Sequence, residues 1–512
     1  MRKARLIPTA LLAGAGLLLA GCPGPSSQAQ ALGQSTAGSQ DFDAVRTLIE
    51  DWMEAFAIPS VAVGVAHEGE ILWEEGFGWA DRERNIRATE HTAYSVASVT
   101  KPITATAIAL LQEEGKLGLD DPANDLLRSA RITVRGSGPS RATIREILSH
   151  TAGLPLHHHF FFEDDEVERP PMEVTIARYG VQVTEPGAVY NYSNVGYGIL
   201  DHLIEEASGK DYGAFLRSRI FDPLGMERSA LGKNPSMGAK VAARYDEAGS
   251  PLPDYDFDHR GASAVYASVH DLLRFGLFHL GRTPEEAEDI LPRSVLKEMQ
   301  TPHAPSAEGR SYGLGWAVVK DDNGYVRVEH TGGMPGVSTA LRLYPEEDAV
   351  VVVLSNSSNP ATGPIADALA GVVLTDYLRR MGDGGDAPTG EGRSSRQGST
   401  VFRGEWEGEV KTWAGTIPMH LTLDGDGGGV VRFGGEPPTE LHGLQVLDGR
   451  MSGQFAGTIP TEDALTREHV IHVRLWKEGD QLQGFAAALA WRGRNHFALS
   501  SPALLQRNVG PE

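Results

Sequence analysis

The sequence predicts an α+β fold, an antiparallel sheet flanked by helices, followed by a small all-β, barrel-like domain. Three observations predict it. Between residues 41 and 381, strand-like apolar runs stand at both ends and helical spacing fills the middle. Residues 382–400 (GDGGDAPTGEGRSSRQGST) carry no apolar pattern and read as a linker. From 401 to 507, short alternating runs recur between Gly, Asp and Pro without a convincing helix, the pattern of an antiparallel barrel or sandwich. A chain of 512 residues accommodates two such units.

In chain order, Val45, Leu48, Ile49, Trp52, Met53 and Phe56 make the first helical stripe, which Pro59 stops. Val61–Ala66 and Ile71–Gly76, joined by His67-Glu68-Gly69-Glu70, read as a hairpin. Helical spacing returns from Thr100 to Glu114, with Gly115 suited to the C-cap. Thr143 and Glu146 form a capping box, and Val195–Ala207 and Leu272–Leu280 are further amphipathic stripes. After residue 310 the pattern turns to strands: Tyr312–Val319, Tyr325–His330, Ser338–Tyr344 and Ala349–Leu354, with a turn at Asp322-Asn323-Gly324. A helix over Pro364–Met381 closes the unit. Strands at both ends imply that the first hairpin joins the late strands in one sheet.

The amino terminus reads as an address. Arg2, Lys3 and Arg5 precede a short apolar run, Leu11–Ala20, too short to span a bilayer. Leu19-Ala20-Gly21-Cys22 resembles the lipobox of bacterial lipoproteins, which implies a signal peptide over 1–21 and acylation of Cys22. Residues 22–40 then read as a flexible tether. The expectation is export, with a lipid anchor to the bacterial cell envelope at the periplasmic face or outer membrane. Cys22 is the only cysteine, so no disulfide can form within the chain. A net charge of −22 argues against a nucleic-acid partner, because polyanion binding needs clustered cations.

Ser98-Val99-Thr100-Lys101 places a hydroxyl and an amine three residues apart, on one face of a helical turn. Serine is a poor nucleophile without an adjacent base, and lysine serves as one only when its pKa is depressed. Pro102 makes the turn irregular at Lys101. Two more motifs follow in order, Tyr192-Ser193-Asn194 and His330-Thr331-Gly332. Accessory stretches are Leu148-Ser149-His150-Thr151-Ala152-Gly153-Leu154, Pro223-Leu224-Gly225-Met226 and Tyr312-Gly313-Leu314-Gly315-Trp316. Together these resemble the serine β-lactamase and DD-peptidase (penicillin-binding-protein-like) superfamily, nearest to class C β-lactamases and their esterase and peptidase relatives. The resemblance covers residues 41 to 380.

The resemblance implies a serine hydrolase working through an acyl-enzyme, without cofactor or metal. Ser98 would attack the carbonyl, Lys101 and a Tyr192 phenolate would share the base role, and Asn194 would orient the substrate and hold Lys101. Ser98 and Gly333 backbone N–H groups would form the oxyanion hole. His330, Thr331 and Gly332 would line the substrate, with His330 where true β-lactamases usually carry Lys. A shorter, largely neutral imidazole is a weaker anchor for an anionic β-lactam. The expected substrate is therefore an ester or peptide, such as a D-amino-acid peptide or cell-wall fragment. A β-lactamase is the narrower alternative, and a non-catalytic envelope-binding or scaffolding lipoprotein the alternative of another class.

His150, at a helix end, reads as knitting backbone together rather than catalysing. His157-His158-His159 lie in an extended segment whose neighbours point to opposite sides, so one metal would not take all three. With Phe160-Phe161-Phe162 they read as a loop at the cleft mouth, its aromatics touching substrate. Gly404-Glu405-Trp406 resembles the Gly-x-Trp opening of lipocalin-like barrels.

Overall fold

The computed structural model describes residues 42–374, 377 and 400–508, apart from 136–137, 234–239, 308, 321–323, 426, 448 and 493–494. The signal and tether readings, Cys22 and nearly all of the linker lie outside the described residues.

A nine-stranded antiparallel sheet carries the first unit. Its strand order is 304–307, 310–312, 317–320, 326–334, 337–344, 349–355, 60–67, 70–81 and 86–87. The first hairpin thus pairs with the late strands, Val61 opposite Ser355 through His67 opposite Ala349. Side-chain alternation sorts the central strands into two cores. Val61, Val63, Val65, Val351 and Val353 pack under the helices Phe42–Ala55 and Thr362–Val373. Ala62, Ala66, Val350, Val352 and Leu354 face the opposite core, with the helices Thr100–Glu113 and Val269–His279. Thr143 and Glu146 close the expected capping box.

The Tyr312–Val319 run is not one strand. It breaks into Arg310–Tyr312 and Ala317–Lys320 around a turn in which Gly313 N–H donates to Trp316 O at 2.7 Å. Gly315 makes the break possible. Its φ is +87°, and a Cβ there would stand 2.5 Å from Ala105 Cβ on the helix bearing Lys101.

The second unit is a nearly closed antiparallel barrel. Its order is 439–440, 429–433, 415–423, 404–412, 495–507, 481–492, 470–478, 450–455 and 442–447. The two ends of that order adjoin in the chain at Leu441, which packs on Gly453 and donates its N–H to Gly429 O. Inward residues alternate along the strands: Trp406 and Val410, Ile417, Met419 and Leu421, Val431 and Phe433. Trp406 Nε1–H reaches Phe402 O at 2.9 Å.

One expectation is corrected. Residues 158–162 are a buried strand, not a loop at the cleft mouth. The strand pairs with the last barrel strand (His159 opposite Phe497, His158 opposite Ala498) and with Tyr255–Phe257 on its other side. Both faces are covered, so its aromatics pack against Tyr255, Phe257, His496 and Phe497 rather than facing a cleft. The two units therefore share one hydrogen-bonded sheet.

Candidate active site

Ser98 sits in a single 3-10 turn, Ala97–Val99, that runs into the helix starting at Thr100. Ala97 has φ +47°, a strained value for a residue with a Cβ, held by packing against Phe160, Met334 and Val337. The serine is partly exposed, whereas Lys101 is wholly buried. Lys101 Nζ lies 3.2 Å from Ser98 Oγ, 2.8 Å from Asn194 Oδ1 and 3.1 Å from Ala262 O. Burial drives this amine well below the ordinary lysine pKa, which favours its neutral form.

Tyr192 lies where an extended segment meets the helix Asn194–Ser208, with Ser193 capping the helix through Gly196 N–H. Lys101 Nζ is 4.7 Å from the Tyr192 ring centre. The phenol oxygen is buried near Ser98 without a hydrogen bond of regular geometry. Burial pushes its pKa above the ordinary tyrosine value, and Ser98 offsets this only in part. That direction opposes the phenolate the sequence reading expects.

His150 holds this segment from behind. In a left-handed conformation (φ +60°), it accepts Ser193 N–H at Nδ1 (3.2 Å) and Asn191 N–H at its carbonyl (2.8 Å). Its ring packs among Tyr190, Tyr192, Tyr197 and Tyr312. Asn194 is committed to the protein at both ends of its amide: Oδ1 accepts from Lys101, and Nδ2 donates to His157 O at 2.9 Å.

The third motif lies on the strand Val326–Met334, beyond the point where its neighbour Ala317–Lys320 stops pairing at Glu329. The strand approaches the Ser98 turn so closely that a Cβ on Gly332 would stand 2.4 Å from Val96 O and 2.9 Å from Ala97 Cβ. Gly333 is exposed with open space where a side chain would be. Thr331 is partly exposed beside it.

His330 departs from its expected part. The ring is buried; Nδ1–H donates to Thr331 O at 2.8 Å and Nε2 accepts from Tyr312 OH at 2.9 Å. Burial, with Lys101 nearby, lowers its pKa to about 3. Both nitrogens are taken and the ring is neutral, so it positions Tyr312 and the strand instead of meeting a substrate anion. Beneath it, Glu329 is buried between Arg327 and Arg342 and bonded to Arg310.

Sequence reasoning missed three contributors. Ala262 O is a backbone acceptor with no side-chain signature. His157, Asp258 and His259 are buried together, yet their separations of 2.8 Å (His157 Nε2 to Asp258 Oδ2) and 2.7 Å (His259 Nδ1 to Asp258 Oδ1) are hydrogen bonds. Two ligands sharing a tetrahedral zinc would stand roughly 3.3 Å apart. The barrel also reaches the site: Arg450 Nη1 donates to Tyr190 O at 3.3 Å and Arg474 Nη1 to Asn191 Oδ1 at 3.4 Å.

A serine, a buried amine and a phenol are gathered beside an antiparallel sheet flanked by helices. The chain belongs to the Beta-lactamase family, whose model matches residues 45–374. It is 28% identical over 336 residues to the unguisins hydrolase ungD' of Aspergillus campestris, covering 62% of each chain. It is 25% identical over 319 residues to protein flp of Staphylococcus aureus (strain MRSA252), covering 61% of this chain and 62% of that one. This chain thus spans about 62% of the length of those relatives. The octameric penicillin-binding protein homologue from Pyrococcus abyssi shares the fold with a TM-score of 0.57 at 23% identity. That match covers 91% of this chain and all of the other, so it extends over the barrel as well.

Proposed function

We propose that the protein is a serine hydrolase that acts through an acyl-enzyme on an ester or peptide, with Ser98 as nucleophile and Lys101 as base. One observation carries the reading. A neutral amine has two N–H groups and one lone pair, and Asn194 Oδ1 and Ala262 O accept both N–H groups. Nζ stands 3.2 Å from Ser98 Oγ, donating to it when charged and turning its lone pair toward it when neutral. Lys101 takes the hydroxyl proton as Ser98 attacks the carbonyl carbon. The tetrahedral oxyanion forms where the Ser98 and Gly333 N–H groups can donate to it. Tyr192, protonated and beside Ser98, hands a proton to the leaving group and recovers it from water during deacylation.

Neutral His330 favours esters and peptides over anionic β-lactams, because no imidazolium meets a carboxylate there. Arg450 and Arg474, bonded from the barrel to Tyr190 and Asn191, support a cleft whose size the barrel restricts. Cys22 is proposed as the lipid anchor to the cell envelope, supported by the basic start and the apolar run before it. Palmitate incorporation that disappears in Cys22→Ser tests this, and equal incorporation in both rejects it.

The enzymatic proposal is tested by labelling with a fluorophosphonate, followed by peptide mass analysis and a panel of nitrophenyl esters, D-Ala-D-Ala peptides and a chromogenic cephalosporin. Labelling at Ser98 that vanishes in Ser98→Ala is expected. A folded parent that takes no label supports the scaffold reading, and cephalosporin turnover far above ester turnover supports the β-lactamase.

A further inference from the structure

The cluster His157, Asp258 and His259 lies behind the reacting groups and touches none of them. All three side chains are buried, at 0%, 2% and 1% exposure. The carboxylate divides its bonds among three stretches of chain. Asp258 Oδ2 accepts from His157 Nε2–H at 2.8 Å and from Thr175 Oγ1 at 3.3 Å, and Oδ1 accepts from His259 Nδ1–H at 2.7 Å. His157 leads into the strand 158–162, Thr175 belongs to the helix Met172–Tyr179, and His259 immediately precedes the helix Arg260–Ser263.

Two of these stretches also present the carbonyls that set the amine. His157 O holds Asn194 Nδ2 at 2.9 Å, so that Oδ1 faces Lys101, and Ala262 O accepts directly from Lys101 Nζ at 3.1 Å. We infer that Asp258 is a positioning residue for Lys101, clamping the His157 and Ala262 carbonyls so that the amine lone pair points at Ser98. The inference rests on the hydrolase reading above. A buried carboxylate is costly unless its bonds are satisfied, and packing alone would be served as well by an apolar side chain. Burial would raise the Asp258 pKa, but His157 and His259 outweigh it and hold the group well below the usual carboxylate range. The clamp stays ionised wherever the amine works. Near-attack geometry is sensitive enough that a shift of about 1 Å costs roughly 100-fold in rate.

The test uses the full chain and a small neutral fluorophosphonate, separating the saturating rate of Ser98 modification from the half-saturating concentration. Asp258→Ala should lower the saturating rate at least tenfold and leave the half-saturating concentration within threefold. His157→Gln keeps an N–H close to the Nε2 position and should stay within threefold of the parent, whereas His157→Leu should slow as much as Asp258→Ala. A folded Asp258→Ala variant at the parental rate overturns the inference, as does equal slowing by both His157 variants. Should Asp258→Ala fail to fold, the His157 pair decides alone. Labelling that persists in Ser98→Ala would instead sink the hydrolase reading, which keeps the two failures apart.

Discussion

Lys101 Nζ and Asn194 Oδ1 stand 2.8 Å apart, both buried, although 93 residues separate them in the chain. The pair joins the first turn of one helix to the first residue of another. It fixes the direction of an amine whose pKa burial lowers.

Asn194→Leu should therefore damage chemistry more than binding. Removing Oδ1 leaves one Lys101 N–H unsatisfied in the interior, a loss of about 1–3 kcal/mol. Thermal unfolding should register that loss. The saturating rate of Ser98 labelling should fall by roughly the 100-fold expected for misaligned reacting groups. Parental rates with lowered stability would mean that the pair is only structural.

The pH dependence of labelling should follow Lys101. Its folded pKa lies well below the ordinary value, and the rate should fall as pH drops through that depressed value. For stability, the unfolded chain binds the extra proton between the depressed value and about 10.4, so this group's contribution rises with pH across that window. Lys101→Met should abolish labelling and remove that slope, while Lys101→Arg, always charged, should be both inactive and destabilised. An active Lys101→Arg variant would exclude the amine as base.

Acid should unfold the protein through its buried histidines. Burial first of all lowers His330, His279, His472 and His496 to about 3 and His159 to about 4. The unfolded forms take up protons from about pH 6.5 downward while the folded forms do not, so stability is lost as pH falls from there toward 4. Denaturant midpoints at pH 7, 6, 5 and 4 should decline at every step. A flat series would show that the imidazoles are solvated.

Deleting residues 400–512 should not leave a well-behaved first unit. Asp463 accepts from Tyr179 OH at 2.5 Å, Trp413 stacks on Arg178, and the strand 158–162 would lose its partner at Phe497 and Ala498. An uncovered strand edge promotes association. Size-exclusion chromatography should show aggregates, and a monodisperse, labelled fragment would contradict this.

The parts legible in the sequence were those with local signatures. Ser98-x-x-Lys101 and Tyr192-x-Asn194 have fixed spacing, the Thr143–Glu146 capping box is four residues long, and alternation marks Val61–Ala66 and Ala349–Leu354. Properties set by tertiary burial were not legible. The protonation of Lys101 and Tyr192 depends on what covers them, and the inward turn of His330 depends on Tyr312 being packed against it. The 158–162 segment misled because a strand buried on both faces shows no alternation. Ala262 acts through its carbonyl, which every residue possesses.

The sheet shared by the two units also sets a schedule for biogenesis. Ser500 bonds to Leu156 O, a contact spanning 344 residues. The amino-terminal partner is therefore made long before its mate, and folds with it only when both are present. Until the carboxy-terminal strand is in place, one edge of the 158–162 strand stays uncovered, while its other edge can already pair with Tyr255–Phe257.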